Sequence, residues 1–269
     1  METVTAPNIE REFYETESFW NRERYVGLPA ERVMVAAGWI PPDVRSVLDV
    51  GCGNGLFTEQ LSNMPVVVGT DRSRSALKHV QVPCCQADAS SLPFPDNCFD
   101  MVTAMEVIEH LPFHALTPAI GEIARVARRY VLVTVPYREN LARYRVICPE
   151  CGCQFNHNFH MRTFSRVRLE RLFVCQPIPV SPIRIEGVLP ALLPFTIEDV
   201  RRVLRLKPAF PWFAVCPQCG YRHAGGNSDC PATKSRTEHW LNQFKKAARR
   251  FWPVPGKHRW WMALYQKGA

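Results

Sequence analysis

The sequence predicts an α/β fold in which a parallel sheet carries a ligand site at the carboxyl ends of its strands. Short apolar runs rich in β-branched residues alternate with helix-like stretches through the first half of the chain. One such run leads directly into a turn with glycines at alternate positions, Gly51, Gly53 and Gly55. The 269 residues are 46% hydrophobic, which is enough for one sizeable core with insertions.

The first three strands each end at a residue suited to ligand contact. The strand before Gly51 ends in a turn where glycine lets the main chain approach a ligand closely. The second strand, 66–70, ends in Asp71, about 20 residues after the glycines, where a carboxylate can accept hydrogen bonds from two ribose hydroxyls. The third strand, 83–87, ends in Asp88. This order predicts a nucleotide-like cofactor.

The remaining elements continue the alternation of strands and helices. We expect a fourth strand at 101–104, a helix at about 116–127 and a fifth strand at 130–136. A last strand at 259–266 returns the chain to the sheet, so the segments between belong to one domain.

From about residue 47 to 136 these motifs resemble the class I S-adenosylmethionine-dependent methyltransferases, in particular the methyltransferase type 11 group. The resemblance implies a doubly wound, mostly parallel seven-stranded sheet with an antiparallel last strand and a Rossmann-like topology. It also implies S-adenosylmethionine as the cofactor. The residues expected to contact this cofactor are Asp49, Gly51, Cys52, Gly53, Gly55, Asp71, Arg72, Asp88, Ala89 and Met105.

Two cysteine pairs predict a zinc site. Cys148 and Cys151, like Cys216 and Cys219, stand in the pattern Cys-Pro-x-Cys-Gly, which aims two sulfurs at one cation. Their repeated form indicates one structural Zn²⁺ that joins two insertions, at 137–164 and 187–258. Nearby residues could replace one of the four thiolates. These alternatives are Cys153, His157, His223 and Cys230.

A second group of polar residues follows the fourth strand. Glu106, Glu109 and His110 would share one face if this segment were helical, and His160 offers a further imidazole. Carboxylate and imidazole side chains could hold a divalent cation such as Mg²⁺ or Mn²⁺. The set resembles the metal site of small-RNA 3′-terminal 2′-O-methyltransferases. Alternatively, the acids favour a helix N-terminus and His160 bonds to backbone in a structural loop.

The expected reaction is transfer of a methyl group to an oxygen. His110, His160 and Glu106 are the candidate catalytic residues, since an oxygen nucleophile must lose a proton. The fourth strand is not followed by the Asn-Pro-Pro-Tyr type of motif that many base-directed enzymes carry. We expect a small-molecule or glycan hydroxyl as acceptor. The alternatives are an RNA 2′-O-methyltransferase and a non-catalytic, zinc-stapled protein that binds the cofactor.

Charge is concentrated toward the end of the chain. Residues 201–269 carry 14 Lys and Arg against two acids, a net charge of +12. The segment 237–252 has the pattern of a basic amphipathic helix, which could touch a membrane surface but could also pack on its own domain. Nucleic acid is a possible partner of this region. No targeting or membrane-spanning segment is evident in the sequence, so we expect a cytoplasmic location.

The N-terminal part of the chain is expected to cover the cofactor. Residues 1–44 form the predicted helical cap, with aromatic side chains concentrated at 13–29, and residues 45–136 form the cofactor-binding core. The last strand is assigned to 259–269. Together these segments predict a single methyltransferase domain over 1–269.

Overall fold

The computed structural model describes residues 14–20, 28–190, 210, 214–222 and 258–268. The chain divides into two compact units. The larger unit comprises Tyr14–Glu139, Met161–Leu189 and Trp260–Ala269. The smaller unit comprises Met1–Phe13, Asn140–His160 and Pro190–Arg259. The basic segment 237–252 and most of the region 191–257, for which predictions were made, lie outside the described residues.

The described regular elements are four α-helices, nine strands and three short 3-10 helices. The helices are α1 (Leu28–Ala37), α2 (Arg74–Leu77), α3 (Phe113–Val126) and α4 (Arg166–Glu170). The strands are β1 (Ser46–Val50), β2 (Val66–Asp71), β3 (Cys84–Gln86), β4 (Phe99–Met105), β5 (Ala127–Pro136), β6 (Arg145–Ile147), β7 (Gln154–Asn156), β8 (Val180–Pro190) and β9 (His258–Lys267). The 3-10 helices are Glu17–Trp20, Thr58–Leu61 and Leu141–Tyr144.

Seven strands form the main sheet in the order β3-β2-β1-β4-β5-β9-β8. The pairs β1–β2, β1–β4, β2–β3 and β4–β5 are parallel. β9 is antiparallel to β5. The predicted fold class, including the antiparallel last strand, is confirmed. The sheet order reverses beside β1, so that β1 and β4 diverge at the switch point where doubly wound folds bind their ligands.

Alternate residues of the central strands face two apolar layers. On β1, Val47 packs in one layer and Leu48 in the other, and on β4 Met101 and Val102 divide in the same way. Helix α3 contributes Ile120, Ile123 and Ala124 to the Leu48 layer. Helix α1 and the 3-10 helix after β1 contribute Val33, Ala36 and Leu61 to the Val47 layer. Both faces of the sheet are therefore covered, which fixes the strand ends as the accessible edge.

The described part of the smaller unit contains a two-stranded antiparallel sheet, β6–β7, in which Val146 pairs with Phe155. Its apolar cluster combines Val146 and Phe155 with Ala214 and the half-buried Phe210 and Tyr221. This core is small, and a domain of this kind commonly needs a metal or disulfides to supplement it. None of the helices that the structure describes is long and apolar enough to cross a membrane.

Candidate functional site

The glycine turn after β1 is a stretch of backbone with little room for side chains. The amides of Gly51 and Cys52 both donate to the carbonyl oxygen of Thr70, at 2.7 and 2.9 Å. Gly51 and Gly53 adopt φ values of +69° and +54°. A Cβ atom on Gly51 would lie 2.5 Å from Cγ2 of Val107. The turn therefore requires glycine for both conformation and space, as expected for a site that binds through its main chain.

Asp49 is a buried acid near the end of β1. Its carboxylate is buried and accepts hydrogen bonds from the hydroxyl groups of Thr58 and Thr103, at 2.6 and 2.8 Å. The register of β1 and β4 pairs Asp49 with Thr103. Burial raises the pKa of Asp49 to about 6, against the opposing effect of the two hydroxyl bonds.

Asp71 ties the end of β2 to the glycine turn. Its Oδ2 accepts from the amide of Gly53 at 2.8 Å, and its Oδ1 accepts from the amide of Ser73 at 2.8 Å. Burial raises the pKa of Asp71, although these two amide bonds lower it. A carboxylate can accept more than one hydrogen bond at each oxygen, so these contacts orient it without exhausting its acceptor capacity.

The described N-terminal residues lie against the same turn. Cζ3 of Trp20 is 2.8 Å from the position that a Cβ of Gly53 would occupy, and the carbonyl of Trp20 accepts from Asn54 at 3.0 Å. The carbonyl of Tyr14 accepts from the hydroxyl of Ser73 at 2.7 Å. These contacts place residues 14–20 over the glycines and Asp71. The cap assignment as a whole remains a prediction.

The remaining residues expected to contact the cofactor are distributed around this edge. The guanidinium of Arg72 lies 5.1 Å from the ring centroid of Tyr14. Asp88 is exposed and its Oδ1 accepts from the amide and hydroxyl of Ser90 at 2.8 and 2.6 Å. Ala89 packs against one apolar layer and Met105 against the other. Cys52 is buried, and burial raises the pKa of its thiol, so it behaves as an apolar residue.

Glu106, at the end of β4, is already engaged. Its Oε2 lies 3.0 Å from a guanidinium nitrogen of Arg32 and accepts from the indole of Trp260 at 2.8 Å. Its Oε1 accepts from the hydroxyl of Thr134 at 3.2 Å. Its φ of +60° is rare for a residue with a side chain and is held by these partners. These three partners hold the carboxylate of Glu106 in one orientation at the carboxyl end of β4.

Glu109 is the opposite case. Its side chain is fully buried, and neither carboxylate oxygen has a hydrogen-bond partner among the residues that the structure describes. Burial, together with the charge of Glu106, raises its pKa well above the usual range. A carboxylate oxygen of Glu109 and a ring nitrogen of His110 lie within 4.8 Å of each other. Nδ1 of His110 lies 3.1 Å from the hydroxyl of Tyr14.

The helical spacing expected for Glu106, Glu109 and His110 is wrong. Residues 106–112 form turns, and helix α3 begins only at Phe113, after Pro112 in an extended conformation. The left-handed backbone at Glu106 turns the chain away from a helical path. Glu109 and His110 are brought together by this turn, and Glu106 is held elsewhere by Arg32. His160 belongs to the smaller unit, so the proposed four-residue set remains a prediction.

The four cysteines predicted to bind zinc converge. Their sulfur atoms all lie within 4.8 Å of one another, with Cys148 3.6 Å from Cys219 and Cys151 3.5 Å from Cys216. A tetrahedral site with Zn–S bonds of about 2.3 Å separates its sulfurs by about 3.8 Å, so the four thiols fit a zinc ion. His157 and Cys153 lie in the same unit but outside this group, whereas His223 and Cys230 fall outside the described residues.

Two similar turns shape the cysteine site. The amide of Gly152 donates to Cys148 and that of Gly220 to Cys216, each at 3.0 Å to the carbonyl oxygen. The thiol of Cys216 is buried, which opposes ionisation, but backbone amides of Cys219 and Gln218 outweigh this and lower its pKa to about 7. A thiol that ionises near neutral pH suits a metal ligand.

Several residues that shape the larger unit's site could not be predicted from motifs. Thr58 and Thr103 hold Asp49, and Arg32 and Trp260 hold Glu106. Arg32 lies in α1 and Trp260 in β9, far from β4 in sequence. The position of Trp260 could have been inferred from strand direction. A residue near the start of an antiparallel strand beside β5 must lie near the carboxyl edge of β4.

Comparison with known proteins identifies the domain. Residues 48–133 match the family model described as a methyltransferase domain. The ubiquinone biosynthesis O-methyltransferase of Albidiferax ferrireducens is 31% identical over 80 residues, which cover 25% of this chain and 32% of that protein. The 27-O-demethylrifamycin SV methyltransferase of Amycolatopsis mediterranei is 34% identical over 97 residues, which cover 30% and 34%. The matched segments span about a third of these two relatives.

Solved structures share the fold over most of the chain. A SAM-dependent methyltransferase from Archaeoglobus fulgidus is 16% identical with a TM-score of 0.55, and the match covers 93% of this chain and 99% of that one. The S-adenosylmethionine complex of Haemonchus contortus phosphoethanolamine N-methyltransferase 2 is 14% identical with a TM-score of 0.56, covering 96% and 60%. Residues 48–133 thus match the family expected from the motifs, and the solved structures share the fold expected of a class I S-adenosylmethionine-dependent methyltransferase.

Proposed function

We propose that this chain transfers the methyl group of S-adenosylmethionine to a hydroxyl oxygen of a small-molecule or glycan acceptor. The observation that carries the proposal is the glycine turn, whose Gly53 amide is fixed by Asp71 beside a backbone that admits no side chain. The turn and Asp71 would hold the cofactor by backbone contact and through its ribose hydroxyls. When bound, the cofactor supplies an electrophilic methyl group.

The residues of the turn 109–111 supply the acceptor chemistry. His110 is the candidate base, because an imidazole can remove the proton of an attacking hydroxyl near neutral pH. The hydroxyl of Tyr14, 3.1 Å from Nδ1, orients the ring. Glu109 is buried next to His110, and burial together with the charge of Glu106 raises its pKa, which favours the protonated form. Glu106 shapes the rim and does not exchange a proton in this scheme.

The names of two curated relatives support the proposed class of acceptor. They are named as O-methyltransferases or methyltransferases of small molecules, of ubiquinone biosynthesis and of rifamycin. The matched segments span about a third of each relative, so the proposal takes from them the class of acceptor and not its identity. We propose a hydroxyl-bearing small molecule or glycan as the class.

A second candidate is a cation-dependent reaction, including RNA 2′-O-methylation. It is favoured by the pair Glu109 and His110, whose ligand atoms lie within 4.8 Å of each other. In this version Glu109 and His110 would hold Mg²⁺ or Mn²⁺, which would lower the pKa of the acceptor hydroxyl. Glu106 is not counted among these ligands, because its carboxylate already bonds to Arg32 and Trp260.

We further propose that Cys148, Cys151, Cys216 and Cys219 bind one structural Zn²⁺. Four thiolates close the coordination sphere, which is typical of structural rather than catalytic zinc. None of the ten described cysteines forms a disulfide, which agrees with the proposed cytoplasmic location, where thiols stay reduced. Elemental analysis of the purified chain should give one zinc per molecule, and Cys216→Ser should remove it. Purified folded protein without zinc would exclude this part.

The test of cofactor binding uses S-adenosylhomocysteine and calorimetry, and it needs no acceptor. The wild-type chain should bind with micromolar affinity, and Asp71→Ala should weaken binding at least tenfold because a ribose contact is lost. Asp96→Ala is the matched control, since Asp96 is a largely exposed acid paired with Arg125. Absence of binding by the wild type would contradict the proposed function.

The test of the reaction follows the methyl group. Labelled S-adenosylmethionine is incubated with fractionated cell extract, and the labelled product is identified. His110→Gln should retain cofactor affinity but lose at least tenfold in methyl transfer. Transfer that persists after removal of divalent ions, with zinc retained, would contradict the cation-dependent version and leave the His110 version standing.

A further inference from the structure

Arg162 is a buried cation for which the described part of the chain shows no salt bridge. Its side chain is part of a residue that is 7% exposed, and its Nε and Nη1 have no hydrogen-bond partner among the described residues. Only its Nη2 donates, to the carbonyl of Leu111. Burial and the neighbouring Arg168 lower its pKa. An unpaired buried charge lowers the stability of the fold, and such a group is often retained for binding.

The guanidinium lies at the N-terminus of helix α3. It is 4.8 Å from the ring centroid of Phe113, the first residue of that helix, and its bonded carbonyl belongs to Leu111. The helix has 14 residues, so its N-terminus carries the positive end of a substantial dipole. A cation at this end is electrostatically unfavourable unless an anion joins it.

This helix N-terminus has no anion of its own. Pro112 at the N-cap makes no side-chain hydrogen bond, and the first turn contains no acidic residue. Phe113, which covers the guanidinium, is 82% exposed and can move without disturbing the core. Arg168, whose Nη1 donates to the carbonyl of Thr163 at 2.7 Å, adds positive charge nearby. Two positive features thus meet where the described residues provide no negative one.

We propose that Arg162 and the N-terminus of α3 bind an oxyanion, a phosphate or carboxylate group carried by the acceptor. Leu111 follows His110 directly, so the anion site and the candidate base share one turn. The amide of Met161 donates to the carbonyl of Glu109 at 2.9 Å, which anchors the Arg162 segment to that turn. The assignment of the anion to the acceptor rests on the proposed function, whereas the oxyanion site does not.

The site can be tested without cofactor or acceptor. Inorganic phosphate and acetate are titrated separately against the full chain at constant ionic strength with chloride, and the melting temperature is followed. The wild type should show a saturable rise, because a ligand that binds only the folded state stabilises it. The more effective anion identifies the group as phosphate or carboxylate. A wild type that responds to neither anion would overturn the proposal.

Arg162→Met should weaken the apparent affinity for the better anion at least tenfold. Its melting temperature without anion should equal or exceed that of the wild type, since a buried unpaired charge is removed. Arg171→Met, at an exposed arginine just after α4, is the matched control and should keep the wild-type response. Equal responses of wild type and Arg162→Met would overturn the proposal.

A second test introduces a carboxylate of the protein itself at the proposed anion site and compares it with a neutral control. Phe113→Glu places a carboxylate in the first turn of α3, beside Arg162, and should raise the melting temperature while abolishing the response to added anion. Phe113→Gln should keep that response. Since Phe113 is exposed, both variants should fold even if Arg162→Met does not. A response of Phe113→Glu equal to that of Phe113→Gln would overturn the proposal, whatever the result of cofactor calorimetry.

Discussion

The glycine turn of the larger unit and the cysteine turns of the smaller unit both use left-handed glycines, but for different reasons. Gly53 has a φ of +54°, and Gly152 and Gly220 have φ values of +72° and +73°. A Cβ on Gly53 would lie 2.8 Å from Trp20, whereas a Cβ on Gly152 or Gly220 would meet no atom within 4 Å. The first turn needs glycine for space and conformation, and the second turns need it for conformation alone.

The difference reflects how each site is built. In the glycine turn the backbone itself lies at the ligand edge, so every added atom displaces something. In the cysteine turns the ligands are side chains, and the glycine only allows the chain to bend behind them. Substitution of a glycine should therefore be tolerated less well in the turn after β1 than in the two cysteine turns.

Gly53→Ala should produce the largest effect, because it changes the turn in which glycine is needed for both space and conformation. The added methyl group would collide with the ring of Trp20 in a backbone conformation that disfavours alanine. We expect at least a hundredfold loss in affinity for S-adenosylhomocysteine by calorimetry. Gly38→Ala is the control, because its Cβ would meet its nearest neighbour, a carbonyl oxygen, at 3.4 Å. Wild-type affinity in Gly53→Ala would show that the turn can open at little cost.

The raised pKa of Asp49 should be visible in how the free energy of unfolding depends on pH. The folded-state pKa of Asp49 is raised to about 6 from 3.8, so the folded state holds a proton that the unfolded state releases. Its contribution to the free energy of unfolding should fall by about 1.4 kcal/mol per pH unit between roughly pH 4 and 6. Asp49→Asn should remove this slope in urea unfolding at several pH values.

Asp100 provides the control of opposite sign. Backbone amides of Arg45 and Ser46, the Ser46 hydroxyl and the charge of Arg128 outweigh burial and lower its pKa. Its contribution to stability is present above the unfolded pKa and is lost as the pH falls below about 4. Asp100→Asn should therefore flatten the acid limb and leave the slope between pH 4 and 6 unchanged. Identical profiles for the two variants would contradict the assignment of Asp49.

The smallest effect is expected at Gly220. Gly220→Ala should cost about 1 kcal/mol, the penalty for a left-handed non-glycine residue, and Gly220→Asn less, since asparagine tolerates this conformation. Zinc content should stay at one per chain in both variants. Thermal unfolding and elemental analysis provide the measurements. Loss of zinc in Gly220→Asn would show that this turn, like the first, is limited by space.

Much of the fold could be predicted because its signals are local. The apolar run that leads into Gly51 predicts a strand followed by a turn. The two Cys-Pro-x-Cys-Gly patterns predict that four sulfur atoms lie close enough to share one ion. The apolar run at 101–104 likewise predicts a strand, which the structure has as β4. These features depend on neighbouring residues, and the structure confirms them.

The site around Glu106 and Glu109 could not be predicted in the same way. Both glutamates precede α3 and share a residue type, yet one pairs with Arg32 and Trp260 and the other is buried alone. The difference comes from a left-handed residue at position 106 and from partners in α1 and β9. Neither a left-handed φ at a non-glycine residue nor a partner distant in sequence can be predicted from the periodicity of the sequence.

The chain crosses between the two units at five places, and the first residue after two of these crossings bonds to one of the glutamates. Met161, the first residue after one return, donates its amide to Glu109, and Trp260, the first after the other, donates its indole to Glu106. Each of these donors is therefore one peptide bond from the unit that carries the four cysteines.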